Sequence, residues 1–159
     1  MSHGEPDFLF EAVANSLEAG ANRIVIDYKR YQEFVDITVT DDGEGFSCDV
    51  FSKGVSTKGK NRGNGLFLLK EKALSCSIKR ENSFTTLFYR MRLAESSPLS
   101  EVLPFIFSYA DYEVAIEFVF CSEVLNERIS SDALKVEFGT LSSVRALSAL
   151  KKRFSMFDL

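Results

Sequence analysis

Glu11-Ala12-Val13-Ala14-Asn15-Ser16-Leu17-Glu18-Ala19-Gly20-Ala21 is the stretch around which the rest of the chain is organised. Its apolar residues recur at helical spacing and Gly20 follows them, which predicts a helix that ends near Gly20. Glu11 and Asn15 are four residues apart, so they are neighbours on one face of that helix. An amide oxygen there can bind a hard cation, and a carboxylate can act on a water molecule. The same pattern also describes an amphipathic helix whose polar face binds nothing.

The composition excludes several classes of protein. The chain has 159 residues, 45% of them hydrophobic and 26% charged, which is typical of a globular domain with a core and room for a small second lobe. The net charge of −4 provides no general field for nucleic acid, and no apolar run approaches the ~20 residues that span a bilayer. We therefore expect neither nucleic acid nor a membrane as a partner.

The cysteines and the histidine narrow the chemistry further. Cys48, Cys76 and Cys121 are widely spaced and odd in number, which argues against a disulfide framework and against a zinc site. With no signal-peptide pattern at the N-terminus, a reducing, cytoplasmic location is expected. The single histidine, His3, lies in the N-terminal tail, so a mechanism with a buried histidine base is not expected.

Two strands should follow the first helix. Residues 23–28 and 34–40 are rich in β-branched and aromatic side chains, and the polar residues between them predict a hairpin turn. The second strand leads into Asp41-Asp42-Gly43-Glu44-Gly45-Phe46. Two glycines directly after a strand indicate a sharp turn that lets something approach the backbone closely.

A polar segment without periodicity covers residues 47–64. It contains three glycines and four basic residues: Gly54, Gly59, Gly63, Lys53, Lys58, Lys60 and Arg62. A helix is predicted at residues 66–74, and the free N–H groups and dipole of its N-terminus would favour an anion. The pattern therefore indicates either an anion site or a solvated surface loop.

The remaining chain divides near residues 95–98. Before this point we predict strands at 76–79 and 85–93, with a turn near Asn82. After it we predict a helix at 99–109, strands at 114–120 and 124–129, and a last helix at 143–154. The predicted domains are residues 1–94 and a small α+β module at residues 98–159, whose function the sequence does not indicate.

Three segments, in this order, resemble the Bergerat-fold ATPases of the GHKL superfamily, which includes histidine kinases, type II topoisomerases, heat-shock chaperones and MutL-type mismatch-repair proteins. Residues 11–26 resemble the N box of the MutL-type ATPases, and residues 41–46 resemble the G1 box, D-x-G-x-G. Residues 51–66 are instead similar to the short lid and G2 box of sensor histidine kinases. The resemblance covers about residues 7–93. It implies an α/β (α+β) two-layer sandwich, a mixed and largely antiparallel sheet with helices on one face; a small C-terminal α+β lobe would follow.

The resemblance also implies the ligands ATP and Mg²⁺. On the phosphate side, Asn15 matches the magnesium ligand and Glu11 the residue that polarises the attacking water. Lys58 and Arg62 of the lid would contact the phosphates. The matching G2 residues are Gly63, Gly65 and Leu66.

On the base side, the resemblance assigns four residues. Asp41 matches the aspartate that accepts a hydrogen bond from the adenine amino group, and a carboxylate is suited to that contact. Gly43 and Gly45 would give the base room. Thr85 fits the threonine that lies near adenine on the last strand.

Two departures from the family leave the activity open. The N box begins almost at the first residue, where sensor kinases carry an upstream phosphoacceptor histidine helix, so autophosphorylation in cis is not expected. The residues after Pro98 show no match to the domain that supplies a lysine to the γ-phosphate in MutL-type and topoisomerase ATPases. The hypotheses are an ATP–Mg switch or slow ATPase, a protein kinase acting in trans as in the anti-sigma-factor branch, and a non-catalytic interaction module. A regulatory protein partner is expected, and the sequence does not determine the oligomeric state.

Overall fold

A computed structural model of the protein describes residues 7–45 and 65–159. Within these ranges the chain forms an α+β fold with a six-stranded mixed sheet and five α-helices. The strands are β1 (Arg23–Arg30), β2 (Phe34–Asp41), β3 (Ser75–Glu81), β4 (Phe84–Arg92), β5 (Ala115–Cys121) and β6 (Asn126–Ser130). The helices are α1 (Phe8–Glu18), α2 (Gly65–Lys72), α3 (Leu99–Ser108), α4 (Ser131–Phe138) and α5 (Val144–Phe154).

The strands lie in the order β3-β4-β2-β1-β5-β6. β1 and β5 are parallel, whereas the other neighbouring pairs are antiparallel. In β1, β2, β4 and β5 buried residues alternate with half-exposed or exposed ones, because successive side chains of a strand point to opposite faces. One face of the sheet therefore supplies buried side chains to the core, which is consistent with the sandwich that the resemblance implies.

The core forms between that face and the helices. Val13 of α1, Leu103 of α3, Leu134 of α4 and Leu150 of α5 belong to the same buried cluster as the inward-facing residues of the strands. Five phenylalanines of this cluster are linked by ring contacts: Phe107, Phe118, Phe120, Phe154 and Phe157. Ring pairs of this kind add favourable edge and stacking contacts to the apolar area that is buried.

The segment after Pro98 continues the same sheet. β5 pairs with β1 along its whole length, so that Ile116 lies beside Ile24 and Phe118 beside Ile26. The guanidinium of Arg30 also donates to the main-chain oxygen of Phe157 at 2.7 Å. The sequence predicts a small α+β lobe for this segment; in the structure the segment supplies two strands of the six-stranded sheet and three α-helices.

Helix α4 is absent from the sequence-based prediction. Its N-terminus is capped by Ser130, whose hydroxyl accepts from the N–H of Ala133 at 3.2 Å, and Gly139 follows its end with φ +78°. The helix has eight residues and buries only Ser131 and Leu134. So short a pattern contains too few apolar repeats to reveal a helical period.

The helices also bear on the expected absence of a membrane span. In the part of the chain that the structure describes, no helix combines the length and the apolar character needed to cross a bilayer.

Candidate functional site

Helix α1 positions the first group of candidate residues. Its N-terminus is capped by Asp7, whose carboxylate accepts from the N–H of Phe10 at 2.9 Å. After its last turn Gly20 adopts φ +79°, a conformation that favours glycine, so the helix ends where the sequence predicts. The apolar face is buried through residues such as Val13, which fixes the orientation of the polar residues on the other positions.

Glu11 and Asn15 lie in α1 as predicted, in adjacent turns. Asn15 is 9% exposed, and its side-chain nitrogen donates to the main-chain oxygen of Glu11 at 2.7 Å. This bond uses the donor end of the amide and leaves the side-chain oxygen as its acceptor. Glu11 is half-buried in the first turn of the helix.

Asp41 connects the end of β2 to α1. It is 4% exposed, its Oδ2 accepts from the hydroxyl of Ser16 at 2.6 Å, and its Oδ1 accepts from the N–H of Gly43 at 2.8 Å. Burial raises the pKa of Asp41 above its ordinary value, and the hydrogen bonds from Ser16 and Gly43 offset only part of that effect. The site therefore contains a carboxylate that burial alone would make costly to ionise.

The turn after β2 packs directly against the end of α1. The N–H of Glu44 donates to the main-chain oxygen of Ala19 at 2.8 Å, and a Cβ atom added to Gly43 would lie 2.7 Å from the same oxygen. The carboxylate of Asp42 accepts from the N–H groups of Asn22 and Arg23, where β1 begins. Gly43 is thus required by the contact between this turn and α1, a reason that differs from the expected room for a base.

Thr85 lies directly opposite Asp41 on the neighbouring strand β4 and is 3% exposed. Its hydroxyl accepts from Nη1 of Arg80 at 2.7 Å, and the same nitrogen donates to the main-chain oxygen of Gly43 at 2.9 Å. A Cβ atom added to Gly45 would lie 2.7 Å from Arg80 Nη1. The structure therefore brings together all four residues that the resemblance assigns to the base. Arg80, which the resemblance does not assign, lies between them.

Sequence reasoning misses Ser16 and Arg80 as parts of this group. Ser16 follows Asn15 in the quoted stretch, where a hydroxyl one position along the helix is a detectable candidate partner for Asp41. Arg80 carries no comparable signal, since it is one of two adjacent basic residues, Lys79 and Arg80, on an edge strand. Its alignment with Thr85 depends on the pairing of β3 with β4.

The described residues include only part of the predicted phosphate side of the site. Lys58, Arg62 and Gly63 lie outside the described residues. Gly65 is the first residue of α2 and Leu66 follows it in that helix, and their side-chain environment lies outside the description. α2 packs against α1.

The described residues bear on the kind of site that the predicted magnesium ligand, Asn15, would need. Across residues 7–45 and 65–159, His, Cys, Asp and Glu form no group of three or more that could hold a metal ion. Mg²⁺ is commonly bound by one or two protein groups together with phosphate oxygens and water. A single amide at Asn15 fits that mode and does not fit an all-protein metal cage.

A separate cavity of about 900 Å³ lies at the other end of α1. Phe8, Tyr28, Tyr89 and Pro98 are among its lining residues, and burial raises the pKa of both tyrosines. Tyr28 pairs with Ile37, four residues before Asp41, which corresponds to roughly 13 Å along the strand. None of the base-side residues lines this cavity, so it is distinct from the candidate site.

The chain matches no protein-family model and no curated protein. A proposal for its function therefore depends on the residues of the site and on the sequence pattern that brings them together.

Proposed function

We propose that this chain is an ATP–Mg²⁺ binding domain of the GHKL type, with a Bergerat fold, that acts as a nucleotide-dependent switch or slow ATPase. The observation that supports it best is Asp41, a buried carboxylate held by Ser16 and Gly43 and placed opposite Thr85. A carboxylate offers about four lone-pair positions, and these two donors use one on each oxygen. Asp41 can therefore accept a further hydrogen bond from an exocyclic amino group.

Adenine suits the electrostatics of this position. Ionised Asp41 has lost much of its hydration through burial, which is why its pKa is raised. A neutral base with an N–H donor would add a hydrogen bond to the charged group without adding another buried charge. Thr85 supplies a hydroxyl beside it that can both donate and accept.

The charged end of the nucleotide would depend on α1 and the lid. Bound magnesium would neutralise part of the triphosphate charge, and Asn15 would hold it through its side-chain oxygen. Lys58 and Arg62 would contact the phosphates, which a chain of net charge −4 does not otherwise attract. Glu11, in the first turn of α1, would accept a proton from the attacking water.

The alternative is that Asp41 has only a structural role, in which its hydrogen bonds hold α1 against the turn after β2, and contacts no ligand; we call this role a tie. Calorimetric titration of a non-hydrolysable ATP analogue with Mg²⁺ separates the two. Under the proposal, Asp41→Asn keeps the size of the side chain but presents an amide donor toward the adenine amino group, so affinity should fall about 10- to 100-fold. Asp111→Asn is the matched control, because Asp111 also accepts several hydrogen bonds but belongs to a different loop.

Thermal melting of each variant verifies that it is folded. If folded Asp41→Asn binds the analogue as tightly as the wild type, Asp41 is a tie and not a base contact. If the wild type shows no binding at millimolar nucleotide, the chain is not an ATP-binding domain. Phosphate release that occurs only with magnesium would distinguish an ATPase from a switch that binds without turnover.

A further inference from the structure

Arg80 occupies the middle of the base-side residues although no motif includes it. It projects from the edge strand β3 and is exposed as a whole, yet its Nη1 reaches inward to two acceptors, Gly43 O at 2.9 Å and Thr85 Oγ1 at 2.7 Å. Both hydrogens of that nitrogen are used by these two bonds. A guanidinium thereby links the turn after β2 to β4 directly beside Asp41.

The contact with Gly45 shows that the side chain fills space as well as donating hydrogen bonds. A Cβ atom at Gly45 would lie 2.7 Å from Nη1, 3.0 Å from Cδ and 3.2 Å from Cζ of Arg80. The space that glycine leaves at this position is therefore taken by Arg80. A flat base seated against Gly43, Gly45 and Thr85 would overlap the guanidinium.

We propose that Arg80 controls access to the base site: its guanidinium joins Gly43 to Thr85, and a nucleotide base binds there only when the side chain moves away. The inference rests on the nucleotide-binding function proposed above. The guanidinium donates two charge-assisted hydrogen bonds, but Arg80 is exposed, so water competes for its donors, and holding the side chain in one position costs rotamer freedom. The contact is thus weak enough to open reversibly, as an access residue requires.

The expected effect follows from the fraction of molecules in which the site is open. When a binding-competent state is only partly populated, the apparent affinity falls by that fraction. Two hydrogen bonds from an exposed guanidinium, less the cost of ordering the arginine and the competition from water, correspond to an open fraction on the order of one in ten. Removing the guanidinium should tighten binding by about tenfold.

Calorimetry with two ligands, adenosine and the magnesium complex of a non-hydrolysable ATP analogue, tests this. The variants are Arg80→Ala, Arg80→Gln in case the alanine variant fails to fold, and Lys79→Ala. Lys79→Ala is the matched control, since it removes the same charge from the adjacent position of β3. The Lys79 ammonium pairs with Glu81 at 2.8 Å. Binding of both ligands about tenfold tighter in the Arg80 variant, with Lys79→Ala unchanged, supports the proposal.

The remaining outcomes are also decisive. Weaker binding of the ATP analogue with unchanged adenosine binding would assign Arg80 to the phosphates and overturn control of access. Unchanged binding of both ligands would make the contact incidental, while nucleotide binding itself would stand. Binding by none of the folded proteins would overturn both proposals.

Discussion

Asp41 and Asp111 both anchor a loop through hydrogen bonds, but they differ in burial and in the number of donors they receive. Asp41 lies at the end of a central strand, is 4% exposed, and accepts from one hydroxyl and one N–H group. Burial raises its pKa, and those two donors do not reverse the shift. The carboxylate is thus held in place without its charge being fully compensated.

Asp111 is half-buried in the short 3₁₀ helix Tyr109–Tyr112. It accepts from the N–H groups of Leu141 and Ser142 and from the hydroxyls of Thr140 and Ser142. Burial by itself would raise the pKa of Asp111, but these hydrogen bonds outweigh it and lower the pKa to about 2. Its charge is compensated by the loop that leads into α5.

The difference separates a structural carboxylate from one with spare acceptor capacity. The four donors of the 140–142 loop occupy the lone pairs of Asp111, so a ligand would find few left. Asp41 receives two donors in a more buried position and would gain from a third. By this criterion the end of β2 is a candidate for ligand binding, and the 140–142 loop is not.

The largest expected effect is on the rate of ATP turnover, which should depend on the candidate site that contains Glu11 and Asp41 and not on Asp111. If Glu11 is the proposed general base, Glu11→Gln removes that base but leaves Asn15 and Asp41 in place, so ATP should bind nearly as tightly. Phosphate release should be at least about tenfold slower, a cautious bound below the ~10²- to 10⁴-fold typical of a general base. Steady-state phosphate release and calorimetry measure the two quantities.

Glu101→Gln is the matched control for that variant. Glu101 occupies the first turn of α3 as Glu11 occupies the first turn of α1, so helix-dipole effects are shared. The Glu101→Gln variant should release phosphate at the rate of the wild type. An unchanged rate in Glu11→Gln as well would reduce Glu11 to a polar residue of the helix face.

The next largest effect concerns stability and should be greatest at Asp111. Asp111→Ala leaves the donors of residues 140–142 without their acceptor, which should lower the free energy of unfolding by about 1–3 kcal/mol. Urea denaturation measures the change, and Glu123→Ala, at an exposed position before β6, is the control. Nucleotide affinity should not change. A drop in affinity equal to that of Asp41→Asn would erase the distinction between the two aspartates.

The smallest effect is a pH dependence with opposite signs at the two positions. The pKa of Asp111 is lower in the folded chain than its ordinary 3.8, so its contribution is present above pH 3.8 and lost as the pH falls toward about 2. The pKa of Asp41 is raised, so folding favours its protonated form. Its contribution is therefore present below its ordinary 3.8 and lost as the pH rises through the folded pKa.

Paired urea titrations from acid to neutral pH measure this effect. The stability of the wild type relative to Asp111→Asn should rise with pH between about 2 and 3.8. The stability relative to Asp41→Asn should fall as the pH increases above 3.8. Each change should be smaller than the whole loss in Asp111→Ala. Two slopes of the same sign would contradict the electrostatic contrast.

Local patterns predict the part of the site that is close in sequence. The spacing of Glu11 and Asn15 gives their shared helix face, and the glycines after β2 give the turn beside Asp41. The pairing of β3 with β4 is also local, through a turn in which Asn82 and Ser83 have φ 53° and 69°. A turn near Asn82 is predictable, but serine gives no signal for a positive φ. The register that places Arg80 opposite Thr85 therefore does not follow from the sequence.

Long-range pairing accounts for most of what the sequence leaves out of the fold. The alternation in β5 predicts a strand but not its parallel partner, because side-chain periodicity is the same for any neighbour. Because β5 pairs with β1, residues 98–159 extend the sheet that the first part of the chain forms. The bond from Ser16 to Asp41 is likewise a contact between separate elements, and only the fold brings the two residues together.

The parallel pairing of β1 with β5 has a consequence for synthesis on the ribosome. α1, β1 and β2 emerge early, but the open side of β1 gains its partner only after residues 115–121 have been made. Until then β1 is an edge strand with unpaired N–H and C=O groups, and Ile24, Ile26 and Tyr28 lack their neighbours in β5. Nascent chains that pause before β5 should therefore need protection from aggregation, and a fragment that ends near Pro98 should be a poor substitute for the whole chain.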